Sequence, residues 1–146
     1  MKRAKRFRFV LRGLQAMTVW VHNLDEDAAA DGVSRQHLQD SVVVRLLDSG
    51  IRALGVANVP EPPGNPWLNV FVDTVKTRDD YFYYVTVRLD EVVKLLRNSV
   101  VKTVGTTWES VSTGSTTKED LPRSIQDAVD ELMESFIYDY QVENSQ

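Results

Sequence analysis

Three sets of side chains in this 146-residue chain could do chemistry: a pair of histidines, several groups of carboxylates and a file of aromatic rings. His22 and His37 are the only histidines, and there is no cysteine. A zinc site takes three or four nitrogen or sulfur ligands, usually with one close-spaced pair. This composition offers no such set, so both histidines read as surface residues and no metal is assigned. The lack of cysteine also excludes a thiolate nucleophile and a disulfide framework. Asp25, Glu26, Asp27 and Asp31 are oxygen donors suited to calcium, but they lack the Asp-x-Asp-x-Asp-Gly order of a calcium loop. They read as a solvated acidic loop over residues 25–32. Asp79 with Asp80, and Asp127 with Asp130, could serve as acid and base only if a cleft raised one pKa. In sequence they belong to a turn and to the polar side of a helix. Residues 112–117 are rich in serine, threonine and glycine, but no Gly-Lys-Thr element accompanies them. The reading therefore assigns no catalytic residue and no cofactor, and expects a chain that is not an enzyme.

The rings are more informative. Across residues 66–89, Leu68, Val70 and Val72 alternate with Asn69, Phe71 and Asp73. After a polar turn, Tyr83, Val85 and Val87 alternate with Phe82, Tyr84, Thr86 and Arg88. Period-two alternation of β-branched and aromatic residues predicts a β-hairpin. One face buries Leu68, Val70, Val72, Tyr83, Val85 and Val87. The other presents Trp67, Phe71, Phe82 and Tyr84, with Arg88 at the rim. Cross-strand neighbours lie about 4.5–5.5 Å apart, so these side chains could form one patch. Aromatic residues and arginine are the usual anchors of a protein interface. Trp67, Phe71, Phe82, Tyr84 and Arg88 are the candidate partner-binding residues.

The elements that must position this hairpin follow from the same periodicities. Residues 14–24 read as a strand, with Met17, Val19 and Val21 facing one way and Thr18, Trp20 and His22 the other. Ser34 suits the N-cap of a helix over residues 35–49. Its stripe is Leu38, Val42, Leu46 and Leu47, with Val43 at the edge. Gly50 suits the left-handed residue that ends a helix, with Ile51 packing back on the last turn. A short strand at 51–56 precedes a proline-rich loop holding Pro60, Pro62, Pro63 and Pro66. Residues 89–96 fit a bent continuation of the hairpin strand, or a short helix capped by Asp90. Residues 97–99 turn, 100–111 form a further strand, and 112–117 form a loop. The last helix spans 121–140, capped by Asp120. Its apolar stripe is Ile125, Val129, Leu132, Met133, Phe136 and Tyr140. The predicted order is β-α-β-β-β-β-α. It gives an α+β, two-layer sandwich: a mostly antiparallel sheet of four to five strands with two helices on one face.

The formal net charge of -4 conceals an uneven distribution. Lys2, Arg3, Lys5, Arg6, Arg8 and Arg12 put six basic and no acidic residues in the first twelve positions, and the rest of the chain has a net charge of -10. Residues 1–12 read as a flexible basic leader and 13–146 as a single domain. An acidic body is not a nucleic-acid-binding surface, which needs a basic face on the fold. No apolar run approaches the length of a membrane span.

The arrangement Gly13-Leu14, Leu24, Asp31-Gly32-Val33, Leu38, Leu46, Gly50-Ile51, Pro66-Trp67-Leu68, Tyr81 to Val87, Thr107-Trp108 and Phe136 to Tyr140 resembles a group of short bacterial α+β proteins, often exported, of uncharacterised activity. More remotely, the element order is similar to small envelope assembly domains, such as the amino-terminal domain of the Tol periplasmic propeller protein and the curli-secretion lipoproteins. The resemblance implies a periplasmic or extracellular location. Met1 to Arg12 departs from the group in having no apolar signal core, which leaves a cytoplasmic location open. The resulting expectation is an interaction or assembly module that binds a protein partner, or a second copy of itself, through the aromatic sheet face. Two alternatives stand beside it. One is a small-ligand or enzyme domain with a cleft between the proline-rich and Ser/Thr loops. The other is a nucleic-acid adaptor that uses the basic leader.

Overall fold

The aliphatic residues that alternate along three strand segments come together as one surface. In the computed structural model, which describes residues 8–54 and 64–145, five strands form one sheet. They are β1 Ala16–Val21, β2 Arg52–Leu54, β3 Trp67–Lys76, β4 Asp80–Leu95 and β5 Asn98–Thr117, in the spatial order β2-β1-β3-β4-β5. The β1 strand pairs in parallel with both β2 and β3, while β3-β4 and β4-β5 are antiparallel. Three helices complete the fold: α1 Glu26–Ala30, α2 Arg35–Asp48 and α3 Leu121–Asn144. The α2 helix packs on β1 and β2, α3 packs on β4 and β5, and the two helices touch. This is the expected α+β two-layer sandwich with a mixed sheet.

The register places Val19 beside Leu68, Val21 beside Val70, Val70 beside Val87 and Val72 beside Val85. This inner face is buried under Leu38, Val42 and Leu46 of α2 and under Ile125, Val129, Met133 and Phe136 of α3. The α2 helix begins as expected, with Ser34 Oγ accepting from the His37 amide at 3.1 Å. It ends at Gly50, whose φ of 80° lets the Ile51 amide reach the Leu46 carbonyl at 2.9 Å. Residues 89–95 are strand rather than helix, because Val92 and Val93 pair with Val104 and Thr103 of β5. A bulge between Leu89 and Asp90 supplies the bend.

Several expectations need correction. Residues 8–12 of the expected leader pack on the domain. Arg8–Leu11 form a 3-10 turn, Leu11 is wholly buried, and Arg8 and Arg12 pair with Glu143 of α3 at 3.4 and 3.0 Å. Residues 1–7 of the expected leader lie outside the described residues. The acidic loop contains α1, and its flanking carboxylates are engaged: Asp25 Oδ2 accepts from the Thr74 amide and hydroxyl at 2.9 and 3.0 Å. Residues 112–117 are strand, paired with Asp80 to Val85. Their inward positions, Ser112, Gly114 and Thr116, are small because Tyr81 and Tyr83 occupy the space opposite; a side chain at Gly114 would collide with the Tyr83 ring. Tyr83 is accordingly half-buried rather than buried. Leu47 lies on the exposed side of α2. Asp120 makes no side-chain cap to α3; instead Thr117 Oγ1 accepts from the Asp120 amide at 3.2 Å.

Candidate interaction site on the outer sheet face

Alternation along a strand sends every second side chain away from the helices, and no described element covers that outer face of the sheet. The parallel pairing of β1 with β3 sets Thr18 beside Trp67 and Trp20 beside Asn69. The outward residues of both strands therefore share one neighbourhood. Trp20 meets Trp67 edge to face with ring centroids 6.4 Å apart, and His22 stacks on Phe71 at 4.0 Å and 17°. From the β4 side, the Arg88 guanidinium lies 4.5 Å from the Phe71 centroid. Because β3 lies between β1 and β4, Phe71 is held between an imidazole and a guanidinium. Arg35, from the first turn of α2, lies 5.0 Å from the Trp20 ring. A planar cation over a ring is favourable and keeps both half-desolvated.

Beneath the rings runs a polar chain. Asp90 Oδ2 accepts from Asn69 Nδ2 at 2.7 Å and from Arg88 Nε at 2.9 Å, while Oδ1 accepts from the Thr106 hydroxyl at 2.5 Å. Asn69 must turn its amide nitrogen toward the carboxylate, so its oxygen faces His22 Nε2 at 3.0 Å. An amide oxygen only accepts, which makes Nε2 the protonated nitrogen of that ring. Burial pushes the Asp90 pKa up, but the hydrogen bonds from Thr106, Arg88 and Asn69 outweigh it and the net shift is down. Asp90 is thus an ionised hub that accepts three hydrogen bonds and locks Arg88 over Phe71.

Of the five residues singled out in the sequence, three are brought together: Trp67, Phe71 and Arg88. Phe82 and Tyr84 point the same way but stand at the other end of the hairpin, opposite Val75 and Asp73, and both are exposed. Among the described residues no ring contact joins them to the cluster. Trp20, His22 and Arg35 were missed. Trp20 and His22 alternate off the aliphatic side of their strand, but only the long-range β1-β3 pairing carries them to Phe71. His22 is therefore no bare surface residue, whereas His37 is exposed.

Part of the neighbouring edge of the sheet is capped by a side chain. Beyond the short β2, the Gln39 side chain imitates a strand: its Oε1 accepts from the Val21 amide at 2.8 Å and its Nε2 donates to the Val19 carbonyl at 2.9 Å.

Elsewhere, the perturbed groups form a polar clasp at the turn end of the hairpin. The Tyr81 hydroxyl sits against the Asp31 carboxylate, which Lys76 and Lys118 approach at 3.0 and 3.6 Å. Tyr81 and Lys76 hydrogen bonds hold Asp31 low; its carboxylate holds Lys76 high; burial, then the same carboxylate, raises Tyr81. Each shift deepens the ordinary charge state. A groove of about 330 Å³ between the starts of α2 and α3 contains Ser34 and His37, but Ser34 Oγ is occupied as the helix cap. The cleft envisaged between the proline-rich and Ser/Thr segments does not form from their described parts. Pro66 adjoins Thr18, near the far end of β4 from residues 112–117; Pro60, Pro62 and Pro63 lie outside the described residues. Among the described residues no group of three or more histidine or acidic side chains could hold a metal ion. No helix among them is long and apolar enough to cross a membrane.

No protein-family model matches the chain, and no curated protein matches it. Solved structures that align with it include the following two. An uncharacterised protein aligns with a TM-score of 0.45 at 11% identity, over 86% of this chain and 92% of its own. A minor lipoprotein from Acinetobacter baumannii aligns with a TM-score of 0.36 at 8% identity, over 89% of this chain and 93% of its own.

Proposed function

We propose that the chain is a non-enzymatic interaction module that seats a protein partner, or a second copy of itself, on the outer sheet face. The observation that supports this reading is the row Trp20, Trp67, His22 and Phe71, clamped by Arg35 and Arg88 on a face that no described helix or strand overlies. Rings pre-set in fixed orientations lose little freedom on binding, and these are half-buried, with ring area left for an occupant to cover. The Asp90, Asn69 and Arg88 groups beneath them hold the rings in place. An acidic body favours a protein occupant over a nucleic acid. The envelope is the proposed compartment, on the sequence resemblance alone, and fractionation of cells producing the native chain tests it.

Sedimentation velocity over a concentration series, paired with cross-linking in the producing cell, tests the binding face. Phe71→Ser should lower self-association or abolish a specific cross-linked species while the thermal midpoint moves little. A chain that stays monomeric throughout and yields no cross-linked species sensitive to Phe71→Ser would overturn the reading.

A further inference from the structure

The β4-β5 ribbon runs on well past the sheet. The last β3-β4 pair joins Trp67 and Asp90, yet β4 continues to Leu95 and β5 starts at Asn98. At a strand rise of about 3.3 Å per residue, the two-stranded extension is about 16 Å long. Its composition differs from that of the body. Residues 92–105 include Lys94, Arg97 and Lys102 and no acidic residue. Leu96, in the turn, is 104% exposed and Val100 is 87% exposed; Val92, Val101 and Val104 are exposed as well. Val92 faces Val104, and Lys94 faces Lys102 directly across the ribbon. Like charges opposite one another destabilise a ribbon unless an anion sits between them.

Arg8 and Arg12 lie at the same end. A groove of about 210 Å³ is shared by Arg12, Leu14 and Glu91, at the base of the ribbon. Arg8 and Arg12 flank α3 there, with Glu143 the acidic group that faces them. The opposite end, about 50 Å away along β4, carries Asp25, Glu26, Asp27, Asp31, Asp79 and Asp80, which outnumber Lys76, Arg78 and Lys118 there. The molecule is therefore polarised, with a basic and aliphatic tip on an acidic body.

We propose that this tip docks on the anionic surface of a phospholipid bilayer. The basic side chains would meet the headgroup phosphates, and Leu96 and Val100 would enter the acyl boundary. Fully exposed aliphatic side chains among lysines and arginines suit a lipid interface, where apolar area and attraction to anionic lipid add. A nucleic acid would use the cations but gain nothing from Leu96 and Val100, and residues 92–105 contain no ring on which a base could stack. The acidic far end points away from the membrane, leaving the ring-lined sheet face free for its own occupant. The proposal is independent of that occupant.

Flotation of the full chain with vesicles tests it. Vesicles of phosphatidylcholine with phosphatidylglycerol should carry the protein upward, phosphatidylcholine alone should not, and added salt should release it. Lys94→Gln, Arg97→Gln and Lys102→Gln together should weaken partitioning about 100-fold, at roughly fivefold per charge. Leu96→Ser with Val100→Ser should weaken it about tenfold. Because these side chains are exposed and Lys94 and Lys102 repel each other, neither variant should lower the thermal midpoint. Absence of binding to either vesicle overturns the proposal. So does anionic-vesicle binding that the Leu96→Ser, Val100→Ser variant leaves unchanged, or tighter binding to a single-stranded oligonucleotide than to vesicles.

Discussion

On the inner face of the β3-β4 hairpin, Val70 meets Val87 and Val72 meets Val85, all buried; on the outer face of the same strands, Asn69 meets Arg88 and Phe71 meets Thr86. Both faces are close-packed, but by different means. The inner face excludes water by aliphatic contact with two helices. The outer face excludes it from Asn69, Thr86 and Asp90 with a hydrogen-bonded network and covers that network with half-exposed rings. Water-exclusion by helices supplies stability. Exclusion by side chains alone leaves ring area still to be buried, which is the physical opening for a partner.

The sharpest way to break this comparison is to remove one ring from each side. Phe136→Ala, which deletes a wholly buried ring set 5.0 Å from Trp108, should cost about 3–5 kcal/mol in urea denaturation. Phe71→Ala should cost no more than about 1.5 kcal/mol, the value of its ring contacts. Equal losses would mean that the outer rings are core. Next in size, Asp90→Ala strands Asn69, Arg88 and Thr106 and should lower stability by about 1–3 kcal/mol. It should also free Arg88, so any association through Phe71 should weaken further than stability does.

Titration comes third. Asp31 and Asp90 are held below the usual carboxylate range in the fold. Their contribution is complete above the unfolded carboxylate pKa and is lost as pH falls through the folded values. Lys76 is raised, so its contribution is present at neutral pH and lost as pH rises through its folded value, above that of a free lysine. Thermal midpoints should therefore fall at both extremes. Tyr81→Phe should reduce the acid-side slope by removing a donor to Asp31, and an unchanged slope would remove the clasp from the account. The smallest effect belongs to Phe82→Ser with Tyr84→Ser, expected to stay within about 0.5 kcal/mol because both rings face solvent. A larger loss would show that the far end of the outer face is covered.

The inward residues of 17–21, 68–72 and 85–87 were legible because a buried face must alternate with period two. The α2 and α3 stripes were legible because a helix buries residues three and four apart. Residues 112–117 were not legible as strand. Ser112, Gly114 and Thr116 look like a loop until Tyr81 and Tyr83 are placed opposite them, where only small residues fit. Half of the ring cluster was legible for the same reason as the hairpin. The other half, Trp20 and His22, depended on a parallel pairing between segments some fifty residues apart, for which local periodicity carries no signal.

By itself, the order of residues determined the two helices, the hairpin, the absence of thiol chemistry and the concentration of basic residues near one chain end. These are local properties of spacing and composition. Tertiary structure alone decided that β1 lies beside β3, that Asp90 gathers donors from three strands, and that the ribbon tip shares an end of the molecule with Arg8 and Arg12. Such juxtapositions come from closing long loops around one core. Their free energy resides in contacts between residues distant in sequence, which no single segment contains.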